Sequence, residues 1–228
     1  GKADLEQPIH PNDHVNMSQS TNDTVPTAIH IAAVSLIHTK LFPALTTLTL
    51  SLRRKSQEFK NIKKTGRTHL QDAVTLTLGD EFSGYTSQLE HARVMLAEVT
   101  THLLEVPIGG TAVGTGLNTP RGYRKLVVNA IRSLTNDHFV SAPNLFESIA
   151  AHDRIVFVSG ALKSLALAYA KIANDIRFLG SGPVAGLGEL KLPQNEAGSS
   201  IMPGKVNPTQ SEQALMVSSR VIGNDAAI

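Results

Sequence analysis

The sequence predicts an all-α protein built from long, packed helices, and three observations carry that prediction. Two segments place apolar residues at alternating steps of three and four, the spacing of helices that pack at shallow angles in bundles and coiled coils. No convincing run alternates apolar and polar residues with the period of two that is typical of a half-buried strand. The two segments are Phe82, Tyr85, Leu89, Ala92, Leu96, Val99 and Leu103, and then Ile155, Val158, Leu162, Leu165, Tyr169, Ile172, Ile176 and Leu179.

A third helical stretch is predicted over about residues 24–60. Pro43 is expected to kink or interrupt it, because proline has no backbone N–H to donate within a helix. Asn22 or Asp23, just before the stretch, is the expected N-terminal cap. A shorter helix is predicted near 121–134, and another begins after Pro208. The apolar stripe of the third stretch consists of Val25, Ile29, Ala32 and Leu36.

Composition excludes several classes of function. The 21 basic and 19 acidic residues are intermixed and the net charge is only +2, which is unlike the concentrated basic surface of a nucleic-acid-binding protein. With no cysteine, the chain has no disulfides, thiolate zinc sites or cysteine nucleophiles. No window approaches the roughly 18 apolar residues of a membrane span, so no membrane association is expected. The chain begins in a loop without Met and stops inside a helical pattern, which suggests a piece of a longer protein.

Three long segments between the predicted helices are rich in Gly, Thr, Ser and Asn: 61–79, 107–120 and 180–208. Loops of this length inside a compact helical domain are usually functional or disordered, and the apolar residues of 180–208 favour function. The "GSSIMPGK" run at 198–205 is not a phosphate-binding P-loop, because five residues separate its glycines and Val206 follows Lys205. The glycines of 107–120 lack the spacing of a dinucleotide-binding fingerprint.

Four polar clusters lie in loops or at helix starts: "HPND" (10–13), "SQSTND" (18–23), "GRTHLQ" (66–71) and "GSSIMPGKVNPTQSE" (198–212). Hydroxyls, amides, imidazoles and one lysine together suit a small polyanion held by hydrogen-bond donors with a cationic anchor. Taken singly, each cluster also has a structural explanation: a helix cap, a structural His69, or a turn at Ser199. No His, Asp and Glu residues show metal-ligand spacing on one helix face.

From residue 10 to 228 the chain resembles the class II fumarases of the fumarase/aspartase superfamily. The resemblance is carried by "HPNDHVNMSQSTNDTVPTAIHIA", "GRTHLQDAVTLTLG", "GGTAVGTGLNTP" and above all "GSSIMPGKVNP". It implies that residues 1–228 are the central helical bundle of a lyase with the tail of the N-terminal lyase domain (about 1–20). The N- and C-terminal parts of the parent protein would be absent, and the fragment alone would be inactive. It also implies a homotetramer whose active sites are each assembled from three chains.

The implied reaction is the hydration of fumarate to (S)-malate, a step of the tricarboxylic acid cycle, with no metal or organic cofactor. The resemblance makes Ser199 the base at C3 and Lys205 the group that stabilises the serine alkoxide and the aci-carboxylate intermediate. His69 would act through a bound water on the hydroxyl, and Glu212 would orient the imidazole. The implied substrate-binding residues are Ser20, Thr21, Asn22, Thr68, Ser200, Lys205, Val206 and Asn207. The implied outer dicarboxylate site consists of His10, Pro11, Asn12 and Asp13.

Within the superfamily, three positions favour the hydratase over an aspartate ammonia-lyase: His69 in "GRTH", Gly204 in "MPGKVNP" and Glu212 in "TQSE". The ammonia-lyase and a non-catalytic helical scaffold remain the alternatives. Two residues depart from the family's pattern: Gln7 stands where many bacterial members have a basic residue near the outer site, and Val184 replaces the usual Arg after "SGP". The expected compartment is the cytoplasm or the mitochondrial matrix.

Overall fold

The computed structural model describes residues 9–228, and most of them are helical. Gln7 and the other residues of 1–8 lie outside the described range. The helices are α1 (Thr21–Leu36), α2 (Phe42–Glu58), α3 (Leu78–Thr100), α4 (Tyr123–Thr135), α5 (Leu145–Ala150), α6 (Asp153–Leu179) and α7 (Thr209–Ala227). Shorter π-helical segments cover Pro11–Val15 and Ile37–Leu41, and a 3₁₀ turn covers Thr101–Leu104.

Within residues 9–228, four short strands accompany the helices, and the sequence did not predict these strands. Strands β1 (Lys63–Thr68) and β2 (Gln71–Thr77) form an antiparallel hairpin in the segment that was expected to be a loop. Strands β3 (Glu105–Val106) and β4 (Val140–Ser141) form a two-residue parallel pair. The fold class is nevertheless the predicted one, since the strands are few and the core is helical.

The two heptad segments form the two longest helices, as predicted. In α3 the stripe from Phe82 to Leu96 is buried, and Leu103 beyond its end is fully buried. In α6 the residues one full heptad apart are buried, whereas those between them are half-buried. The buried set of α6 is Val158, Leu165, Ile172 and Leu179.

The third stretch is interrupted just before Pro43, as expected, by the π-helical turn between α1 and α2. Its cap, however, is Ser20 and not Asn22 or Asp23. The Ser20 hydroxyl accepts a hydrogen bond from the backbone N–H of Asn22, and the Asp23 carboxylate accepts one from the backbone N–H of Ser20. This reciprocal capping box places Asp23 at the third helical position.

The apolar stripe of α1 does not face the core of this chain. Val25, Ile29 and Leu36 are exposed, whereas Asp23, Pro26, Thr27, His30 and Val34 form the buried face. The sequence therefore indicated the helix correctly, whereas the side that is buried in this chain is the more polar one. Polar residues could occupy the buried side because their side chains find hydrogen-bond partners there.

The chain divides into two compact units, each described here by itself. Unit 1 comprises the chain up to Leu41 and Glu98–Phe157. Within it, α1 packs on the 3₁₀ turn, on β3 and on α5. The buried side chains of Leu103, Val106 and Phe139 form its core. The Nδ1 atom of His30 lies 2.9 Å from the carbonyl oxygen of Glu105, which ties α1 to β3.

Unit 2 comprises Phe42–Ala97 and Val158–Ile228. The rings of Phe59 and Phe82 meet edge to face at 5.3 Å where α2 ends and α3 begins. Asp225 on α7 accepts hydrogen bonds from Ser159 and Lys163 on α6, which fixes the last helix on the core. The predicted division near residue 20, between a lyase domain and the bundle, stays a prediction.

By length and hydropathy alone, the stretch Thr21–Glu58 and helix α6 would be sufficient to cross a membrane. The expectation that no window approaches the composition of a membrane span was therefore too strict, because it considered only uninterrupted runs of apolar residues. The core helices of soluble bundles pass the same test, so the observation is weak support for a membrane span.

Candidate active site

The first group of predicted site residues lies at the start of α1. Thr21 and Asn22 are exposed in its first turn, and Ser20 caps it. A helix N-terminus carries unpaired N–H groups and a partial positive charge, so it favours a carboxylate. The role of Ser20, Thr21 and Asn22 in binding an anionic substrate stays a prediction.

The glycine-rich loop 107–119 supports this helix start. The buried carboxylate of Asp23 accepts hydrogen bonds from the backbone N–H groups of Gly109 and Thr111, both at 2.9 Å. The side-chain amide of Asn22 donates to the carbonyl oxygen of Ala112 at 2.8 Å. One hydrogen of that amide is therefore used internally, and the second remains to donate to a substrate.

Thr111 in this loop has two unusual properties. It is a β-branched residue with a φ of 55°, a conformation that such residues rarely adopt. Its buried hydroxyl has no hydrogen-bond partner among the described residues. The sequence predicted Asp23 only as a possible helix cap and assigned no role to Thr111, since the motif "GGTAVGTG" gave no sign of a buried carboxylate beneath it.

The predicted outer site lies in the exposed turn 10–16, where its side chains bind one another. The Nδ1 atom of His10 accepts from the backbone N–H of Asp13 at 3.2 Å, and that of His14 accepts from the backbone N–H of His10 at 2.8 Å. Asn12 accepts from Asn16 at 3.4 Å, and Pro11 opens the turn. Because Nδ1 of His10 is used in this way, its Nε2–H is the donor left for a dicarboxylate.

The tip of the β1–β2 hairpin presents Thr68 and His69. Both side chains are exposed, and Thr68 pairs with Gln71 across a two-residue turn. His69 and Leu70 have φ angles of 56° and 62°. Tight hairpin turns require such angles and are usually built from Asn and Gly. Strained residues that persist are concentrated at functional sites, which is consistent with a role for His69.

The segment 180–208 forms no helix or strand, and its end closes back on itself. A Cβ atom at Gly198 would lie 2.9 Å from the carbonyl oxygen of Lys205, so only glycine fits there without a shift. The backbone of Gly198, the residue before Ser199, therefore lies directly against the backbone of Lys205. A small cavity is lined by Gly198, Lys205, Val206 and Asn207, among others, whereas Ser199 is half-buried beside it and does not line it.

Glu212 lies exposed on the first turn of α7, seven residues beyond Lys205. Within residues 9–228, no hydrogen bond or ion pair links it to His69, the imidazole it was predicted to orient. Ser200 is also exposed, next to Ser199. The structure thus brings the Lys205 segment together with that of Ser199, and it leaves His69 and Glu212 on separate elements. In a site shared between chains, as the resemblance implies, His69 and Glu212 would come from different copies of the chain.

The fold and the sequence place the chain in a defined class of enzymes. The family model described as "Lyase" matches residues 2–223, and the chain therefore belongs to this lyase family.

The similar proteins that carry names include fumarate hydratases. The chain is 59% identical over its full length to a protein named mitochondrial fumarate hydratase from Rhizopus oryzae, of which it covers 46%. It is 56% identical over 96% of its length to the class II fumarate hydratase of Ralstonia nicotianae, covering 48% of that protein. The crystal structure of class II fumarase from Schistosoma mansoni matches 95% of the chain and 48% of that protein, with a TM-score of 0.86 and 41% identity. The chain spans about half the length of the curated relatives it matches.

Proposed function

We propose that this chain is part of a class II fumarate hydratase that interconverts fumarate and (S)-malate. The observation that carries the proposal is the 59% identity, over all 228 residues, to a relative named fumarate hydratase. His69, Gly204 and Glu212 stand at the positions that favour a hydratase over an ammonia-lyase. The substrate would be a small dicarboxylate, which the N-terminus of α1 and the Lys205 loop are suited to bind.

In the dehydration direction, the C3–H bond of malate breaks and the proton passes to the Ser199 oxygen. The electron pair moves into the adjacent carboxylate to give an aci-carboxylate. A serine hydroxyl is too weak an acid to reach its alkoxide unaided, so the ammonium group of Lys205 and nearby backbone N–H groups would stabilise both anions. The C2–O bond then breaks, and the leaving hydroxide takes a proton from His69 through water.

The other substrate contacts follow the predicted assignments. Ser20, Thr21 and Asn22 would bind one carboxylate at the α1 N-terminus. Thr68, Ser200 and Asn207, with the backbone of Val206, would hold the rest of the substrate. The outer site at 10–13 would bind a second dicarboxylate. Glu212 of one copy would orient His69 of another.

The assembly that this mechanism needs is a homotetramer with shared sites. The exposed apolar stripe of α1 supports this proposal, because large apolar side chains aligned on one helix face are typical of surfaces that another protein covers. The compartment would be the cytoplasm or the mitochondrial matrix, since relatives named mitochondrial and relatives from bacteria are both similar to this chain.

The test uses the full-length protein and the ultraviolet absorbance of fumarate. Fumarate should appear when malate is supplied and not when aspartate is supplied; activity on aspartate alone would instead indicate an ammonia-lyase. Ser199→Ala and His69→Asn should each lower kcat by about a hundredfold or more, as expected for groups that act on the reacting atoms. Unchanged rates in both variants would disprove the mechanism.

A further inference from the structure

The β1–β2 hairpin is irregular at one point. Thr65 pairs with Thr75 and Arg67 with Asp72, so two residues of β2, Ala73 and Val74, lie opposite Gly66. A bulge of this kind bends the strand pair and increases its twist, and bulges are common next to active sites. The irregularity lies opposite Gly66 of β1, three residues before His69 in the turn.

Two basic residues on either side of the bulge bind one carboxylate. The Lys64 ammonium lies 2.7 Å from Oε2 of Glu189, and the Arg67 guanidinium lies 2.6 Å from Oε1. Lys64 also pairs with Glu81 on α3. We call Lys64, Arg67, Glu81 and Glu189 the Glu189 cluster. Its two cations and two carboxylates balance, and only 9% of the Lys64 side chain is exposed.

Each of the two acidic residues of the cluster is anchored to a different part of unit 2. The backbone N–H groups of Glu189 and Leu190 both donate to the carbonyl oxygen of Leu179, which fixes the start of the 180–208 segment at the end of α6. Glu81 accepts a hydrogen bond of 3.0 Å from the hydroxyl of Tyr85, a buried side chain of the α3 core. The cluster therefore links the hairpin, α3 and the segment 180–208.

Apolar packing contributes little to holding the hairpin in place. A cavity of about 410 Å³ lies against it, lined by both strands and by Asp175, Phe178 and Leu179 of α6. Leu70 and Val74 on the hairpin are strongly exposed. With open space on this side, the ionic contacts of Lys64 and Arg67 join the strands of the hairpin to α3 and to the segment 180–208.

We propose that the Glu189 cluster is a positioning device that fixes the hairpin tip bearing Thr68 and His69 to the segment bearing Ser199 and Lys205. Arg67 directly precedes Thr68 in the chain. An ion pair that fixes the Arg67 side chain therefore restricts the backbone next to the tip. Glu189 is ten residues before Ser199 in a segment that forms no helix or strand. Its effect on catalysis rests on the proposed function, whereas the linkage between hairpin and segment does not.

The test is Glu189→Gln in the full-length protein. The amide keeps the size of the side chain but leaves the partly buried Lys64 and Arg67 without the negative charge that they share, and a poorly solvated charge that loses its partner is destabilising. Amide hydrogen exchange across 63–77 should become at least about tenfold faster. We expect kcat to fall by about tenfold to a hundredfold with a much smaller change in KM, because misplacement by about 1 Å produces losses of this order.

The matched control is Glu90→Gln, which removes an exposed ion pair with Arg53 in the same unit. It should change neither hydrogen exchange nor kcat, since exposed pairs contribute little. Glu189→Asp keeps the charge on a shorter side chain and should recover part of kcat; it also carries the test if the Gln variant does not fold.

A purely structural role would give a different result. Glu189→Gln would then lower the melting temperature but leave hairpin exchange and kcat per folded site unchanged, and the proposal would be overturned. If the wild-type protein showed no activity on malate or fumarate, the proposed function would fail. The hydrogen-exchange comparison would still decide whether the cluster holds the hairpin.

Discussion

The side-chain amide of Asn22 donates a 2.8 Å hydrogen bond to the carbonyl oxygen of Ala112, while the neighbouring Asp23 binds the N–H groups of Gly109 and Thr111. Two consecutive residues of the helix start are thus joined to the glycine-rich loop by three hydrogen bonds. The loop and the helix N-terminus form one rigid element, on which the proposed carboxylate contacts depend.

The first prediction concerns Asp23→Asn. An amide nitrogen replaces one carboxylate oxygen, so either the backbone N–H of Ser20 or those of Gly109 and Thr111 lose their acceptor, and the remaining bonds lose their charged partner. The free energy of unfolding should fall by about 3 kcal/mol, the scale of a buried unsatisfied group that had a charged partner. Urea denaturation of the full-length protein measures this change, and KM for malate should rise as the helix start loosens.

The control for Asp23 is Asp153→Asn, an exposed residue in the first turn of α6. Its effect on stability should stay within about 0.5 kcal/mol. Equal losses in the two variants would contradict the role assigned to the buried carboxylate.

The second prediction compares two glycines of unit 2. A Cβ at Gly66 would lie 2.5 Å from the carbonyl oxygen of Val74, whereas a Cβ at Gly84 on α3 meets nothing within 4 Å. Gly66→Ala should destabilise the protein by about 1–3 kcal/mol, because backbone atoms must move. Gly84→Ala should stabilise it by about 0.5–1 kcal/mol, since alanine favours the helix. Melting temperatures that shift in the same direction would argue against the hairpin geometry.

The third prediction concerns the pH dependence of stability through His30. Burial lowers the pKa of His30, and its Nδ1–H donates to the carbonyl oxygens of Leu103 and Glu105. The unfolded chain therefore binds more protons than the folded protein at mildly acidic pH. Stability from this residue is present above the unfolded pKa of about 6.5 and is lost as the pH falls below it.

Denaturation at pH 7.5 and pH 5.5 measures the effect. The wild type should lose more stability between these values than His30→Asn, in which a neutral amide replaces the ring. His138→Asn, at an exposed histidine, should behave as the wild type does. If all three proteins responded alike, His30 would not be the titrating group.

The fourth prediction concerns Glu189 at acid pH. Burial alone would raise the pKa of Glu189, but the hydrogen bonds from Arg67 and Lys64 outweigh it and leave the pKa below its usual range. A carboxylate with a lowered pKa stabilises the folded state above the unfolded pKa of about 4.3, and this contribution disappears as the pH falls through the folded pKa. The stability difference between the wild type and Glu189→Gln should therefore be largest near pH 7 and shrink below pH 4. A difference independent of pH would mean that charge is not involved.

The sequence predicted the helices well because their packing follows a regular apolar spacing. The heptads from Phe82 and from Ile155 needed no further information, and Pro43 marked the interruption before α2. The hairpin was missed because β1 contains no apolar residue and the apolar alternation within β2 is limited to Val74 and Leu76. Its turn, His69–Leu70, also lacks the Asn and Gly that usually identify such turns.

Less of the candidate site than of the fold could be predicted from the sequence by physical reasoning. Ser199, Lys205 and His69 lie in segments without periodicity, and only the resemblance to a family gave them roles. The Glu189 cluster was missed because its members are spread from Lys64 to Glu189, and only the fold brings them together. The buried side of α1 could not be identified from the sequence, because its polar residues His30 and Asp23 are satisfied by distant segments.

The bulge opposite Gly66 has a consequence for how this segment can vary. Removing one residue from β2 would restore regular pairing, but it would also remove the bend and the extra twist that the bulge gives the strand pair, and so change the direction of the hairpin tip. Exposed side chains of β2 such as Val74 can therefore be exchanged far more readily than residues can be added to the strand or lost from it. Length, rather than identity, is the property that insertion and deletion scanning should find most restricted there.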